Sequence, residues 1–153
     1  VKLMGKLDNF QGFVDGSLEW QFMIFLVTAA WNARPDFQLI SASEYMVSAG
    51  AIGAKSMFSS LAGVAPALVR KLYEICRTEK YAHAREAQEQ VAALRQIVKR
   101  GGGICGLKGA LRVMGRDCGQ PRPPLASLDA SGYKKLETEM SALAVLRAEP
   151  RGW

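Results

Sequence analysis

Three short apolar runs, each closing on a turn and handing over to a helical segment, constrain this chain more than any other feature. They are Phe10-Gln11-Gly12-Phe13-Val14-Asp15-Gly16-Ser17, Phe37-Gln38-Leu39-Ile40-Ser41-Ala42-Ser43 and Ile52-Gly53-Ala54-Lys55-Ser56-Met57-Phe58-Ser59. The order strand, helix, strand, helix, strand, helix predicts an α/β fold with a parallel sheet, because a parallel pair needs a long crossover and a helix supplies it. In such folds ligands sit at the carboxyl ends of the strands. Chemistry is therefore expected at Val14 to Ser17, Ser41 to Glu44 and Lys55 to Ser59.

The segments between and after these runs carry helical periodicity. Ser17 is the expected N-cap of a helix in which Leu18, Phe22, Phe25, Leu26, Ala29 and Ala30 recur at helical spacing until Ala33-Arg34-Pro35-Asp36 ends it. A brief helix, Ser43 to Ala49, closes at Gly50, and Gly50 and Gly53 mark close backbone approach rather than catalysis. Val64 to Arg77 places Ala65, Leu68, Val69, Leu72, Ile75 and Cys76 on one face, with Pro66 tolerated in the first turn. Tyr81 to Arg100 follows with Ala84, Ala87, Val91, Leu94 and Val98 along a stripe, and Gly101 to Gly103 stops it. Leu107 to Val113 is a short helix, and Gln120-Pro121-Arg122-Pro123-Pro124-Leu125 is extended because each proline fixes its own φ and restricts its predecessor. That segment reads as a rigid connector, with an SH3-type ligand as the other reading. Asp129 to Glu149 is expected as a helix with Tyr133, Leu136, Met140 and Leu143 on one side, and Pro150 to Trp153 as a loose end. At the other terminus, Val1 to Asn9 reads as the end of a helix, with Leu3, Met4 and Leu7 on one face.

Bulk properties exclude several classes. With 153 residues, 49% hydrophobic and 22% charged, the chain can bury a core and is expected to be cytoplasmic. The apolar run inside Trp20 to Trp31 is far short of the roughly 20 residues a membrane span needs, and the first residues lack a secretory layout, so no membrane association is expected. Cys76, Cys105, Cys118 and the one histidine, His83, give neither a disulfide framework nor a zinc site, and no cofactor is called for. The net charge of +6 comes from Lys and Arg mixed with Glu on helical faces, so no nucleic-acid partner is expected. Gly101-Gly102-Gly103-Ile104-Cys105-Gly106 follows a helix and lacks G-K-[ST], so it reads as a linker and not a phosphate loop.

Taken in order, these signals resemble the C-terminal half of the dihydrodipicolinate synthase and N-acetylneuraminate lyase family, class I aldolases and dehydratases on a (β/α)8 barrel. Phe10-Gln-Gly-Phe-Val-Asp-Gly resembles the sixth barrel strand, and Ser41-Ala-Ser-Glu44 the end of the seventh. Gly50-Ala-Ile-Gly53-Ala-Lys-Ser56 resembles the eighth, and Leu107-Lys108-Gly-Ala-Leu111 with Arg122-Pro-Pro-Leu125 the helical tail. Gly-Phe-x-Asp-Gly is similar to the dehydratases acting on keto-deoxy sugar acids. The resemblance implies residues 1–63 as a partial parallel β/α barrel, and 64–153 as the last barrel helix plus a C-terminal helical extension in one structural unit.

It also implies a chemistry. A sixth-strand lysine in this family forms a Schiff base with the 2-oxo group of pyruvate or another 2-oxo acid, and the iminium then serves as an electron sink. The matching position here is Val14, so impaired catalysis is expected. Lys55, on the eighth-strand match, is the one candidate for a replacement amine. Gly16, Ser43, Glu44 and Lys55 are the candidate substrate-binding residues, around a carboxylate and hydroxyls. Ser41 stands where the family has glycine. A barrel takes roughly 250 residues, and the chain has no counterpart of the first five strands, where the family's threonine pair and tyrosine lie. Three parallel strands leave an apolar sheet edge open, so a homo-oligomer or association with a longer paralogue is expected. The rival reading is a non-catalytic partner subunit, and a third is a gene fragment, which the missing start methionine fits.

Overall fold

The computed structural model describes residues 6–153; Leu3 and Met4, expected on one helical face, lie outside the described residues. Three strands, β1 (Gly12–Asp15), β2 (Gln38–Ser41) and β3 (Ser56–Met57), form one sheet in sequence order. Both pairings are parallel: Phe13 opposes Leu39 and Val14 opposes Ile40, while Ile40 opposes Ser56. Helix α1 (Trp20–Ala33) makes the first crossover and α2 (Met46–Ala51) the second. The expected parallel α/β order is therefore present, with shorter strands than the apolar runs. Much of the third run is spent turning out of α2, where Gly53 N donates to Gly50 O and Ala54 N to Ala49 O, each at 2.9 Å.

One face of the sheet is closed by helix. Leu39 is buried with Met23, Val27, Ala49 and Ala54, and Phe13, Trp20, Trp31 and Ile52 pack against that cluster. Trp31 is fixed there by its indole N–H, which donates to Phe37 O at 3.0 Å. Gly53, at φ 105°, lies so close that a Cβ would meet the Trp31 ring at 2.0 Å, which is the close approach expected of it. Two expectations are corrected. Ser17 does not cap α1: the helix starts three residues later, behind Glu19, which makes no side-chain cap bond. The Ser17 hydroxyl is engaged with Asp15 instead. Phe22 and Phe25, expected on the buried stripe, face outward at 51% and 74% exposure, and the buried stripe is Met23, Val27 and Ala30. The cause is that α1 contains no charged residue, so its sequence offers no polar face to set the phase.

The described chain resolves into two compact units, one running to Ser59 and including Leu72–Arg85, the other comprising Ser60–Lys71 and Glu86–Trp153. Helices α3 (Pro66–Arg77) and α4 (Tyr81–Arg100) contribute to both. Pro66 takes the first helical position, where its missing N–H costs nothing. In the first unit, burial pushes the Cys76 thiol pKa up. Tyr81 is raised by burial, then by the neighbouring charges of Glu79 and Cys76. His83 is exposed.

The second unit holds α5 (Ile104–Val113) and α6 (Ala130–Ala142). Asp129 caps α6, accepting from Gly132 N at 2.7 Å. The helix expected to run to Glu149 stops at Ala142, with Leu143 extended (φ −80°, ψ 100°) and a 3-10 turn following over Ala144–Ala148. Glu149 is itself extended (φ −76°, ψ 142°), as a residue before proline prefers. Its buried carboxylate accepts from Ala67 N at 2.9 Å and Leu68 N at 2.7 Å. Those are orphan N–H groups of the first turn of α3. The tail beyond is not a loose end. Buried Arg116 donates to Gly63 O at 2.8 Å, to Val64 O at 3.3 Å, to Gly152 O at 2.9 Å and to Pro150 O. Gly152 N returns a bond to Met114 O at 2.9 Å.

Candidate active site at the carboxyl ends of the strands

Successive side chains of a strand point to opposite faces. Phe13 and Leu39 take the face covered by α1, so Val14 and Ile40 take the other, and register extends that row to Ser56. Val14 is 44% exposed there. Val14, which the resemblance sets at the family's lysine, therefore lies on the sheet face opposite the α1 core. An aliphatic side chain at that point can neither ionise nor attack a carbonyl.

Beyond this row, serine hydroxyls and buried carboxylates pair at the strand ends. Asp15, 4% exposed at the end of β1, accepts from the Ser17 hydroxyl at 2.9 and 3.1 Å. Glu19 N donates to that Ser17 oxygen at 3.1 Å, and Leu18 between them has φ 61°, a costly conformation for a branched side chain. At the end of β2, Ser41 Oγ donates to Ser43 O at 2.9 Å and lies 3.5 Å from Ser43 Oγ, both serines being buried. Glu44, 1% exposed, accepts from Ser59 Oγ at 2.8 Å. Backbone bonds tie the three ends together: Ala42 N donates to Asp15 O and Phe58 N to Ser41 O, each at 2.7 Å.

The structure thus buries both Ser43 and Glu44 after β2, the first bonded to Ser41 and the second to Ser59. Gly16 is exposed in the turn after β1, where a Cβ would come within 3.3 Å of Ala42 Cβ. Lys55 is exposed, one residue ahead of β3 and outside the row of Val14, Ile40 and Ser56; its carbonyl accepts from the Tyr73 hydroxyl at 3.4 Å. Sequence reasoning passed over Asp15 with Ser17, and Ser59 as the partner of Glu44. The available signal was the coincidence of a hydroxyl residue and an acid at successive strand ends. Chemically, each carboxylate accepts from a serine hydroxyl, which fixes the turns that follow the strands. Among the described residues no group of three His, Cys, Asp or Glu side chains is placed to hold a metal ion, and no helix is long and apolar enough to cross a membrane.

Comparisons with known proteins agree on one family. The profile of the Dihydrodipicolinate synthetase family matches residues 4–143. A DapA-like lyase of Halobacterium salinarum is 31% identical over 144 residues, covering 94% of this chain and 46% of that protein. Dihydrodipicolinate synthase from Thermotoga maritima superimposes with a TM-score of 0.84 at 19% identity, over 94% of this chain and 49% of that one. A prophage protein of the dihydrodipicolinic acid synthase family from E. coli K12, solved in complex with pyruvate, gives 0.82 at 18% identity over the same shares. The chain spans about half the length of the curated relatives it matches. With its parallel sheet and helices as in these barrel neighbours, and a family profile matched over most of its length, the chain belongs to the dihydrodipicolinate synthetase family of lyases.

Proposed function

We propose that the chain is a half-barrel of this lyase family, its strands corresponding to the sixth, seventh and eighth of the barrel, and that its Schiff-base chemistry is impaired. The observation that carries the reading is Val14, register-paired with Ile40 on the sheet face opposite the α1 core, at the point where the resemblance calls for lysine. The substrate class is pyruvate or another 2-oxo acid, supported by the pyruvate complex of the E. coli relative. Gly16, Ser43 and Glu44 are the residues the resemblance sets around its carboxylate and hydroxyls, Gly16 exposed and the other two buried. Lys55 is the rival amine, and its exposure ahead of β3 speaks for an ordinary solvated ammonium in place of a desolvated nucleophile. Incubation with pyruvate and borohydride, followed by peptide mass mapping, tests this. Position 55 is expected to be labelled no more than other exposed lysines, and pyruvate-dependent selective labelling of Lys55 would show the chemistry to be intact at a displaced amine.

A second reading is a non-catalytic subunit that completes a barrel or oligomer with an intact paralogue. It is favoured by exposed apolar side chains at Val14, Phe22, Ile24 and Phe25, and by sheet edges at β1 and β3 that nothing pairs among the described residues. Size-exclusion chromatography with a full-length family member is expected to shift the chain into a larger complex. Elution of the two proteins at their separate positions would remove this reading.

A further inference from the structure

Helix α1 turns an uncharged face to solvent. Its 14 residues include no Asp, Glu, Lys or Arg, whereas α3, α4, α5 and α6 all carry charge. Met23, Val27 and Ala30 are spent on the core, while Phe22, Ile24 and Phe25 stand out at 51%, 49% and 74% exposure. We propose that this face is a contact between two copies of the chain, their α1 helices packed antiparallel across a two-fold axis.

The residue order along α1 selects a second copy over other occupants. The outward stripe is Gln21, Phe25, Thr28 and Asn32, all exposed, at i, i+4, i+7 and i+11. That spacing reads the same in both directions about the point between Leu26 and Val27, so a two-fold axis there sets the stripe against itself. The residues so paired are complementary. Gln21 meets Asn32 of the other copy, two uncharged amides that each offer donors and an acceptor, and Phe25 meets Thr28. Phe22, beside the stripe, meets the low ground over Ala29 and Ala33, large on small.

Charge agrees at both ends of the helix. Exposed Glu19, at the N-cap, comes opposite Arg34, at the C-cap, whose guanidinium is fixed by a bond to Phe10 O at 2.6 Å. Antiparallel packing also sets each helix dipole against its opposite. Over the rest of the surface a net charge of +6 drives two copies apart, so the uncharged face is where they can approach. The contact needs only this chain, whereas the second reading under the proposed function needs a longer relative.

The test is sedimentation velocity of the chain alone, from micromolar to submillimolar concentration. The wild type is expected to pass from monomer to dimer with rising concentration. In Phe25→Glu the dissociation constant is expected to rise about tenfold or more, because the two copies of position 25 flank the axis and their charges then repel. Phe25→Lys should behave likewise, and an equimolar mixture of the two variants should dimerise again, which general damage to the fold would not allow. Phe25 is exposed, so each variant is expected to keep the wild-type circular dichroism spectrum. A wild type that stays monomeric throughout, a Phe25→Glu dimer as tight as the wild type, or a mixture no more dimeric than either variant alone would overturn the proposal. No relative is present in the cell, so failure here leaves the paralogue reading to its own test.

Discussion

Replacing Arg116 by methionine is expected to lower the unfolding free energy of the helical unit by about 4 kcal/mol. The guanidinium is buried, 6% of Arg116 being exposed, and four carbonyl groups converge on it, from Gly63, Val64, Pro150 and Gly152. Methionine keeps the apolar stem and removes every donor. The bond to Val64 O is buried and the other three are part-buried, so each carbonyl left unpaired costs up to roughly 1–3 kcal/mol, relieved where water can enter. The loss also propagates. The carbonyls of Pro150 and Gly152 hold the chain next to Glu149, whose carboxylate caps the first turn of α3, so releasing the tail weakens that cap as well. Urea denaturation followed by circular dichroism measures the effect. Arg112→Met, on the exposed side of α5, should move stability by no more than about 0.5 kcal/mol in the same assay. A change below about 1 kcal/mol in Arg116→Met would mean that the tail is not held by this residue.

Gly53→Ala is expected to cost about 3 kcal/mol in the sheet unit. Two penalties coincide there. A φ of 105° is a conformation that an L side chain rarely adopts, and the added methyl would sit 2.0 Å from the Trp31 ring. The indole cannot retreat cheaply, because its N–H is bonded to Phe37 O and its ring packs on Leu39, Ala49 and their neighbours. Gly53 also turns the chain from α2 into β3, so the variant is expected to disturb the strand that places Ser56 and Ser59. Near-ultraviolet circular dichroism of the tryptophans together with a thermal melt reads both consequences. A melt unchanged from the wild type would show that the turn can relax around the methyl group.

Much of the architecture could be read before any coordinates, and the reasons differ element by element. Tyr81 to Arg100 is recovered to the residue because its apolar stripe is regular and three glycines end it. The three strands are found in their order because each apolar run ends in a turn residue, although pairing trims them at both ends. The phase of α1 was misread because a helix without charge has no polar face to orient it. The break at Leu143 was missed because Leu, Ala and Val on either side continue a helical pattern, and only the need of Glu149 to reach α3 explains the turn. Arg116 drew no notice, since one arginine among many gives no local hint of four distant carbonyls. At the site, Val14, Ser43, Glu44 and Lys55 were named by resemblance to the family. The pairing of Ser59 with Glu44, 15 residues apart, belongs to the fold and not to any motif.

The central claim is that the first strand presents an aliphatic side chain where the family presents its carbonyl-capturing amine. The most direct measurement compares the wild-type chain with Val14→Lys after incubation with pyruvate and borohydride, mapping the modified peptide by mass spectrometry. The account predicts a pyruvate-dependent adduct at position 14 of the variant, above the background labelling of surface lysines, and no selective adduct in the wild type. Selective trapping on Lys55 in the wild-type chain, or a variant whose position 14 is labelled no more than any exposed lysine, would contradict it.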